Sequence, residues 1–314
     1  MPWLGQSEVF RAFETQLLQA ASSDATVLLT GGSGSGKGAA CRRLIEASDR
    51  ARGPVVVCDL AAVAPSLLEA HLFGHEAGAF TDAHRARPGA FRKAEGGTLI
   101  LDDVDVLAPD AQPKLLRVLE ERVVEPLGSE HAIPVDVRVL ATTNRDLGHL
   151  VERGRFRQDL YYRLAVVALA VPPLRARRGD VPLLATELVA HVARRAGVGE
   201  RELTPEALEA LDEHPWPGNV RELENALERV LVLRAEGPIQ AEEFAFLDEA
   251  TRGVAGELAT RALAAGLTVD ELTEALLETA FEEQRGNLSA AARQVGLTRR
   301  AFEYRLNRAQ VEEE

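Results

Sequence analysis

The feature that most constrains this chain is the run Gly31-Gly32-Ser33-Gly34-Ser35-Gly36-Lys37-Gly38, set between an aliphatic stretch at 27–30 and a helical pattern at 38–47. Closely spaced glycines after a strand and before a helix let successive backbone N–H groups turn inward on phosphate oxygens, and the lysine neutralises the outermost phosphates. Lys37 is one of only three lysines in 314 residues, so a chance match to this spacing is improbable. A strand, glycine loop and helix in this order belong to the carboxyl edge of a parallel sheet, and the rest of the chain should supply its other strands.

It does. Aliphatic runs at 27–30, 55–58, 98–101 and 137–141 alternate with helical patterns such as 38–47 and 113–121, which is the order of an α/β fold with a doubly wound parallel sheet. A fifth run at 165–171 ends in Pro172 and Pro173, which cannot extend a ladder. Helical patterns follow at 183–195, at 204–214 with Thr204 as N-cap and Pro205 in the first turn, and at 220–233. The expected organisation is an α/β domain at 1–171, a helical lid at 172–247, a linker at 248–267 and a terminal helical module at 268–314. With 46% hydrophobic and 27% charged residues the chain has a globular composition, and no apolar run approaches the ~18 residues of a membrane span. The first ten residues lack the features of a signal peptide, so the cytoplasm is the expected location. Cys41 and Cys58 are too few for a disulfide framework or a zinc site and are expected to be buried free thiols.

Two further segments bear on the glycine loop. Residues 96–103 form an apolar strand that delivers Asp102 and Asp103 at its carboxyl end, beside the loop in a doubly wound sheet. Asp102 is placed to orient Mg2+ and Asp103 to polarise an attacking water. The run Ala141-Thr142-Thr143-Asn144 ends another strand at the same edge, and Asn144 suits sensing of a terminal phosphate. The usual phosphate loop has Ser or Thr after its lysine to hold the metal, whereas Gly38 stands here.

Charge is distributed unevenly. The formal net charge is −13, yet from Arg285 to Gln310 there are six arginines and a single glutamate. Within that window residues 290–295 read as a helix, Gly296-Leu297 as a tight turn and 298–308 as a second helix capped by Thr298. This is the geometry of a helix-turn-helix, with Arg299, Arg300 and Arg305 free to reach DNA phosphates or base edges while Phe302 and Leu306 face the core.

These segments, with the words LFGHEAGAFTDA at 72–83, GGTLILDD at 96–103, FRQDLYYRL at 156–164 and WPGNVRELEN at 216–225, make the chain resemble the bacterial enhancer-binding proteins, the sigma-54 activator branch of the AAA+ ATPases. The resemblance implies that ATP and Mg2+ bind at residues 31–38, and that Arg157 and Arg163 reach the ATP site of a neighbouring subunit in a homo-oligomeric ring, a hexamer. Arg221 becomes the sensor arginine of the lid, and Phe80 and Thr81 of the GAFTDA loop contact sigma-54 RNA polymerase. The tail resembles a Fis-type helix-turn-helix, which implies an upstream, enhancer-like DNA site. Four positions depart from the family pattern. Asp82 replaces a glycine of the signature loop, Asp103 replaces the water-polarising Glu, Asp59 replaces the Asn that holds that Glu, and Gly38 replaces a Glu. Asp103 is one methylene shorter than Glu, and Asp59 opposite it is expected to add repulsion or a shared proton. Two functions follow: an ATP-driven remodeller of the sigma-54 closed complex, or a nucleotide-binding and DNA-binding regulator with little or no turnover and no remodelling.

Overall fold

The computed structural model describes residues 3–80, 83–129, 131–233, 236–247, 258–259, 261–284 and 286–311. Two compact units emerge, Met1–Phe244 and Ala245–Glu314.

In the first unit β1 (Val27–Thr30), β2 (Val55–Asp59), β5 (Thr98–Asp102), β8 (Arg138–Thr143) and β9 (Val167–Ala170) form one sheet in the order β2-β5-β8-β1-β9. Every neighbouring pair is parallel. The central strands are apolar on both faces, so both faces must be covered. Val27, Leu29, Ile100, Leu140 and Leu169 pack on one side with Leu17 of α1 (Glu8–Ala21) and Leu44 of α2 (Lys37–Glu46). Leu28, Leu99, Leu101, Val139 and Ala141 pack on the other with Leu72 of α3 (Pro65–Phe73), Phe91 of α4 (Ala90–Lys93), Leu115 of α5 (Ala111–Glu121) and Leu160 of α7 (Gln158–Leu164). A short α6 (Leu147–Glu152) precedes α7. The α/β doubly wound sheet expected from the alternation of strands and helices is thus present. Cys41 and Cys58 are both buried free thiols, pushed up by burial to about 12 and about 11.

Two ribbons were not legible as strands: β3 (Gly74–His75) with β4 (Arg87–Pro88), and β6 (Val123–Val124) with β7 (Ile133–Pro134). Strands of two residues are too short to carry a period. The ribbon β3–β4 closes the neck of the GAFTDA loop, of which Thr81 and Asp82 lie outside the described residues.

The helical lid consists of α8 (Asp180–Ala196), α9 (Pro205–Glu213) and α10 (Asn219–Leu233), in the same compact unit as the sheet. Thr204 caps α9 as expected, its Oγ1 accepting from the Ala207 N–H at 3.2 Å.

The second unit contains α11 (Val269–Glu283), α12 (Leu288–Gln294) and α13 (Arg299–Val311). Thr268 and Glu271 form a capping box on α11. Helix α12 starts at Leu288, earlier than the expected position 290, because the Asn287 side chain accepts from the Ala290 N–H at 3.2 Å. Ala291 and Ala292 are small enough for α13 to pack closely, and Phe302 and Leu306 fill the core against Leu277 and Ala280. Arg285 and most of the linker, 248–257 and residue 260, lie outside the described residues.

Candidate nucleotide-binding site

The strand order brings Gly31 after β1, Asp102 and Asp103 after β5, and Asn144 after β8 to one edge of the sheet, with Thr30 in register with Thr143 and Asp59 with Asp102. Gly34 at φ 73° and Gly36 at φ 104° curl the loop, and α2 begins at Lys37. A side chain at Gly34 would place its Cβ 2.3 Å from the Gly218 carbonyl, whereas Gly36 and Gly38 face open space. The loop is therefore an open cradle of backbone donors at a helix N-terminus. Lys37 Nζ donates to the Gly31 carbonyl at 2.8 Å and the Gly32 carbonyl at 3.3 Å. Burial draws its pKa below the ordinary ammonium value, against the charges of Asp103 and Asp102. Ser35 Oγ is buried without a partner in this cradle. An orphaned hydroxyl beside inward-facing N–H groups is the environment a phosphate oxygen satisfies, so the loop fits a nucleotide.

A threonine ties the Asp102 carboxylate to the Asp103 backbone. Thr142 Oγ1 donates to Asp102 Oδ1 and accepts from the Asp103 N–H at 3.2 Å. Asp103 leaves the strand in left-handed backbone, φ 57° and ψ 57°, a conformation Asp tolerates better than most residues. Burial, then the charges of Asp102 and Asp105, hold the Asp103 carboxyl above the ordinary carboxylate value, with Lys37 opposing and Asp59 adding less. Asp59 Oδ1 accepts from the N–H groups of Ala61 and Ala62 at 3.1 Å each, and no hydrogen bond joins it to Asp103 among the described residues. Two carboxylates beside a lysine supply oxygen ligands that suit magnesium, which keeps several waters of its own. At the position after the lysine, Gly38 offers no side-chain ligand.

Asn144 is exposed just past β8. The buried threonines before it, Thr142 and Thr143, hold the site together, and no pattern of residues marks them. Thr143 Oγ1 donates to Asp105 Oδ1 at 2.7 Å, and Arg145 pairs with Asp105 at 3.3 Å. Asp105 resembles a turn residue in the sequence, yet its side chain is 2% exposed.

The lid touches the loop directly. Arg221 Nη1 donates to Ser33 Oγ at 2.7 Å and the Val220 N–H to the Gly34 carbonyl at 3.1 Å. Asn219, buried and at φ 56°, donates to the Ser33 carbonyl at 3.0 Å and accepts from the Leu174 N–H at 2.9 Å. The word WPGN contained this residue, but only positive φ in the folded chain exposes why Asn stands there. A small recess beside Ser35 and Gly36 is walled by Leu4, Phe10, Val171, Leu184 and Val220. The segment containing Leu4 is fastened by buried Asp180, which accepts from the Gln6 N–H at 2.6 Å, the Ser7 N–H at 2.9 Å and Arg177 Nε at 2.9 Å.

Arg157 and Arg163 lie away from this loop's own contacts. Arg157 is exposed and bidentate on Asp159, at 3.0 and 2.7 Å. Arg163 donates through Nε and Nη2 to the Leu119 carbonyl at 3.1 and 3.0 Å, closing the end of α5. Phe80 is half-buried, its ring centroid 4.9 Å from that of His75. On α13, Thr298 Oγ1 accepts from the Ala301 N–H at 3.3 Å, and Arg299, Arg300 and Arg305 are exposed while Phe302 and Leu306 are buried. Tyr304, 68% exposed on the same helix, was passed over in the sequence.

Residues 3–170 match the model of the sigma-54 interaction domain. The chain belongs to the sigma-54 interaction domain family. Residues 175–254 of this family member match the AAA+ ATPase lid domain, and 268–308 the Fis family of bacterial regulatory proteins. It is 44% identical over 308 residues to the transcriptional regulatory protein ZraR of Salmonella typhimurium, covering 97% of this chain and 68% of that protein. It is 40% identical to the response regulator protein PilR of Pseudomonas aeruginosa, covering 98% and 70%. Among solved structures, NtrX from Brucella abortus in complex with ADP is 30% identical with a TM-score of 0.72, covering 98% of this chain and 70% of that one. NtrX in complex with ATP gives a TM-score of 0.70 over 98% and 69%. This sigma-54 family member is a transcriptional regulator with a P-loop AAA+ domain, a helical lid and a Fis-type helix-turn-helix.

Proposed function

We propose that the chain binds ATP and Mg2+ at residues 31–38, hydrolyses ATP as a ring, a hexamer, and uses turnover to remodel the sigma-54 RNA polymerase closed complex from an upstream, enhancer-like DNA site. The observation that carries this is the open glycine cradle with an orphaned Ser35 hydroxyl and Lys37 hydrogen-bonded to the Gly31 and Gly32 carbonyls. The domains that serve it are the division at 1–171, 172–247, 248–267 and 268–314, and the cytoplasm is where such a regulator meets its polymerase. Among the described residues no helix is long and apolar enough to cross a membrane.

In this reading Lys37 exchanges loop carbonyls for the outer phosphates of ATP, and residues 31–36 with Gly38 supply backbone donors and clearance. Asp102 holds magnesium, which offsets phosphate charge when bound. Asp103 accepts the proton of the attacking water, its backbone N–H held by Thr142. Asp59 flanks it, and Asn144 lies beside the terminal phosphate. Arg221 exchanges Ser33 for phosphate and so links the lid to nucleotide state. Arg157 and Arg163 act across the subunit boundary, where a finger of this kind is worth roughly 10³ to 10⁵ in rate. Phe80 and Thr81 contact sigma-54, and Thr298, Arg299, Arg300 and Arg305 contact DNA.

A second reading, a DNA-binding regulator with little turnover and no remodelling, is favoured by one observation: the Asp103 carboxyl is held above its ordinary value and is shorter than the usual Glu. Steady-state ATPase measured with magnesium across protein concentration separates the two. The remodeller requires specific activity that rises with concentration and vanishes in Lys37→Ala. Flat, near-zero activity with ATP still bound selects the second.

A further inference from the structure

A cavity of about 590 Å³ lies at the root of the signature loop, between α3, the β3–β4 ribbon and α4. It shares no lining residue with the nucleotide cradle, and of the residues given roles above Phe80 alone lines it. It is lined by His71, His84, Arg85, Arg87 and Lys93 together with apolar Leu67 and Phe80. No Asp or Glu among the described residues lines it. Arg85, Arg87 and Lys93 form no ion pair with a described residue, in a chain whose formal charge is −13. Elsewhere the arginines find carboxylates readily, as in Arg50 with Asp24 and Asp136 or Arg195 with Glu224 and Glu228. Unpaired like charges around one concavity repel one another and focus a positive potential within it.

Half-buried His75 is also part of the cavity wall. His75 Nδ1 is buried and has no hydrogen-bond partner, and its ring tilts against Phe80 on the cavity wall. The histidines do not make a metal centre: among the described residues no three His, Cys, Asp or Glu side chains are gathered to hold an ion. Guanidinium groups instead favour phosphate oxygens, which they bind in bidentate fashion. The volume is that of a small-molecule site.

The neck below is fixed. A Cβ at Gly89 would come within 2.3 Å of the Gly74 nitrogen, and Gly74 adopts φ 88°, so the two ends of the loop leave the body at a set spacing. Arg87 and Lys93 belong to this fixed part, while His84 and Arg85 lie on the loop side of it. We propose that the cavity binds a small organic polyanion with at least two phosphate groups, and that bound ligand ties the loop carrying Phe80 to its neck. This claim is independent of turnover at the nucleotide cradle.

The test uses full-length Lys37→Ala protein, so that the cradle does not contribute, titrated calorimetrically with inorganic tripolyphosphate. One saturable site per chain is expected. Binding should weaken at least tenfold in Arg85→Ala/Arg87→Ala and be largely kept in Arg85→Lys/Arg87→Lys; both positions are exposed, so folding is preserved. Ligand should also slow tryptic cleavage after Arg85. The proposal is overturned by no saturable binding, by equal binding in the alanine variant, or by a single-stranded 12-base DNA binding through these arginines where tripolyphosphate does not.

Discussion

Two aspartates in the first unit, half-buried Asp103 and buried Asp180, carry pKa shifts of opposite sign, and their opposite pH dependence gives each a distinct signature. The Asp103 carboxyl lies above the ordinary value, so its ionised form costs the fold stability once pH rises through 3.8 and up to its own raised value. Asp103→Asn keeps a residue tolerant of φ 57° and removes that cost. Without nucleotide, thermal denaturation at pH 7 should give a melting temperature roughly 2 °C higher than the parent, the gap closing as pH falls toward 3.8, while ATP turnover is lost. A lower melting temperature at pH 7 would contradict the burial argument. For Asp180, burial works against ionisation, but the N–H of Gln6, the Arg177 guanidinium and Ser7 hold the carboxyl below the ordinary value. Its contribution is therefore complete above about pH 3.8 and lost as pH falls through its own depressed value. Asp180→Asn leaves Arg177 buried without its charge partner and should cost about 3 kcal/mol at neutral pH. Denaturant titrations at pH 7 and in acid should find the cost large in the first and small in the second.

At the scale of elements, the lid helix α10 is joined to the glycine loop through Asn219, the Val220 N–H and Arg221. Asn219 bridges Ser33 and Leu174 and starts α10 in left-handed backbone. Asn219→Ala removes two buried hydrogen bonds and places Ala at a costly φ, a combined loss of about 2 to 4 kcal/mol. Calorimetry should record weaker ATP binding as well as reduced stability; a stable variant with unchanged affinity would mean that lid and loop are energetically separate. The two candidate finger arginines differ in the same terms. Arg157 is bonded to exposed Asp159, so Arg157→Ala should leave the melting temperature unchanged. Arg163 closes the carbonyl end of α5, so Arg163→Ala should cost about 1 kcal/mol in addition to any catalytic loss.

For the whole molecule, the proposal of action across subunits is a statement about assemblies. Arg157→Ala and Lys37→Ala proteins, each inactive alone, should recover activity when mixed, since some neighbouring pairs then contain one intact cradle and one intact finger. Failure to complement at any ratio would remove support for the trans arrangement. Deleting the chain after Leu267 should abolish specific DNA binding and spare ATP binding, because the second unit has its own core of Leu277, Ala291, Phe302 and Leu306. Within that unit Arg300→Ala/Arg305→Ala should lower the salt dependence of DNA affinity by a slope of about 0.9 per lost phosphate contact. An unchanged slope in a salt titration would place those arginines off the DNA.

What the sequence determined by itself is local in origin. The glycine loop, the alternation of strands and helices, the caps at Thr204 and Thr298, and the buried Phe302 and Leu306 each depend on residues a few positions apart, where periodicity and turn chemistry act. The packed chain decided what depends on distant partners. Strand order brought Thr142 to Asp102 and Thr143 to Asp105, so the buried threonines rather than Asn144 hold the carboxylates. Asp59 took the N–H groups of its own turn, which no comparison with the family Asn would have foretold. Asn219 and Asp180 each link segments more than 40 residues apart, a relation invisible to any window on the sequence. Polar side chains acquire their partners only when topology fixes the distances, and hydrogen bonds fall off too steeply with geometry to be read from order alone.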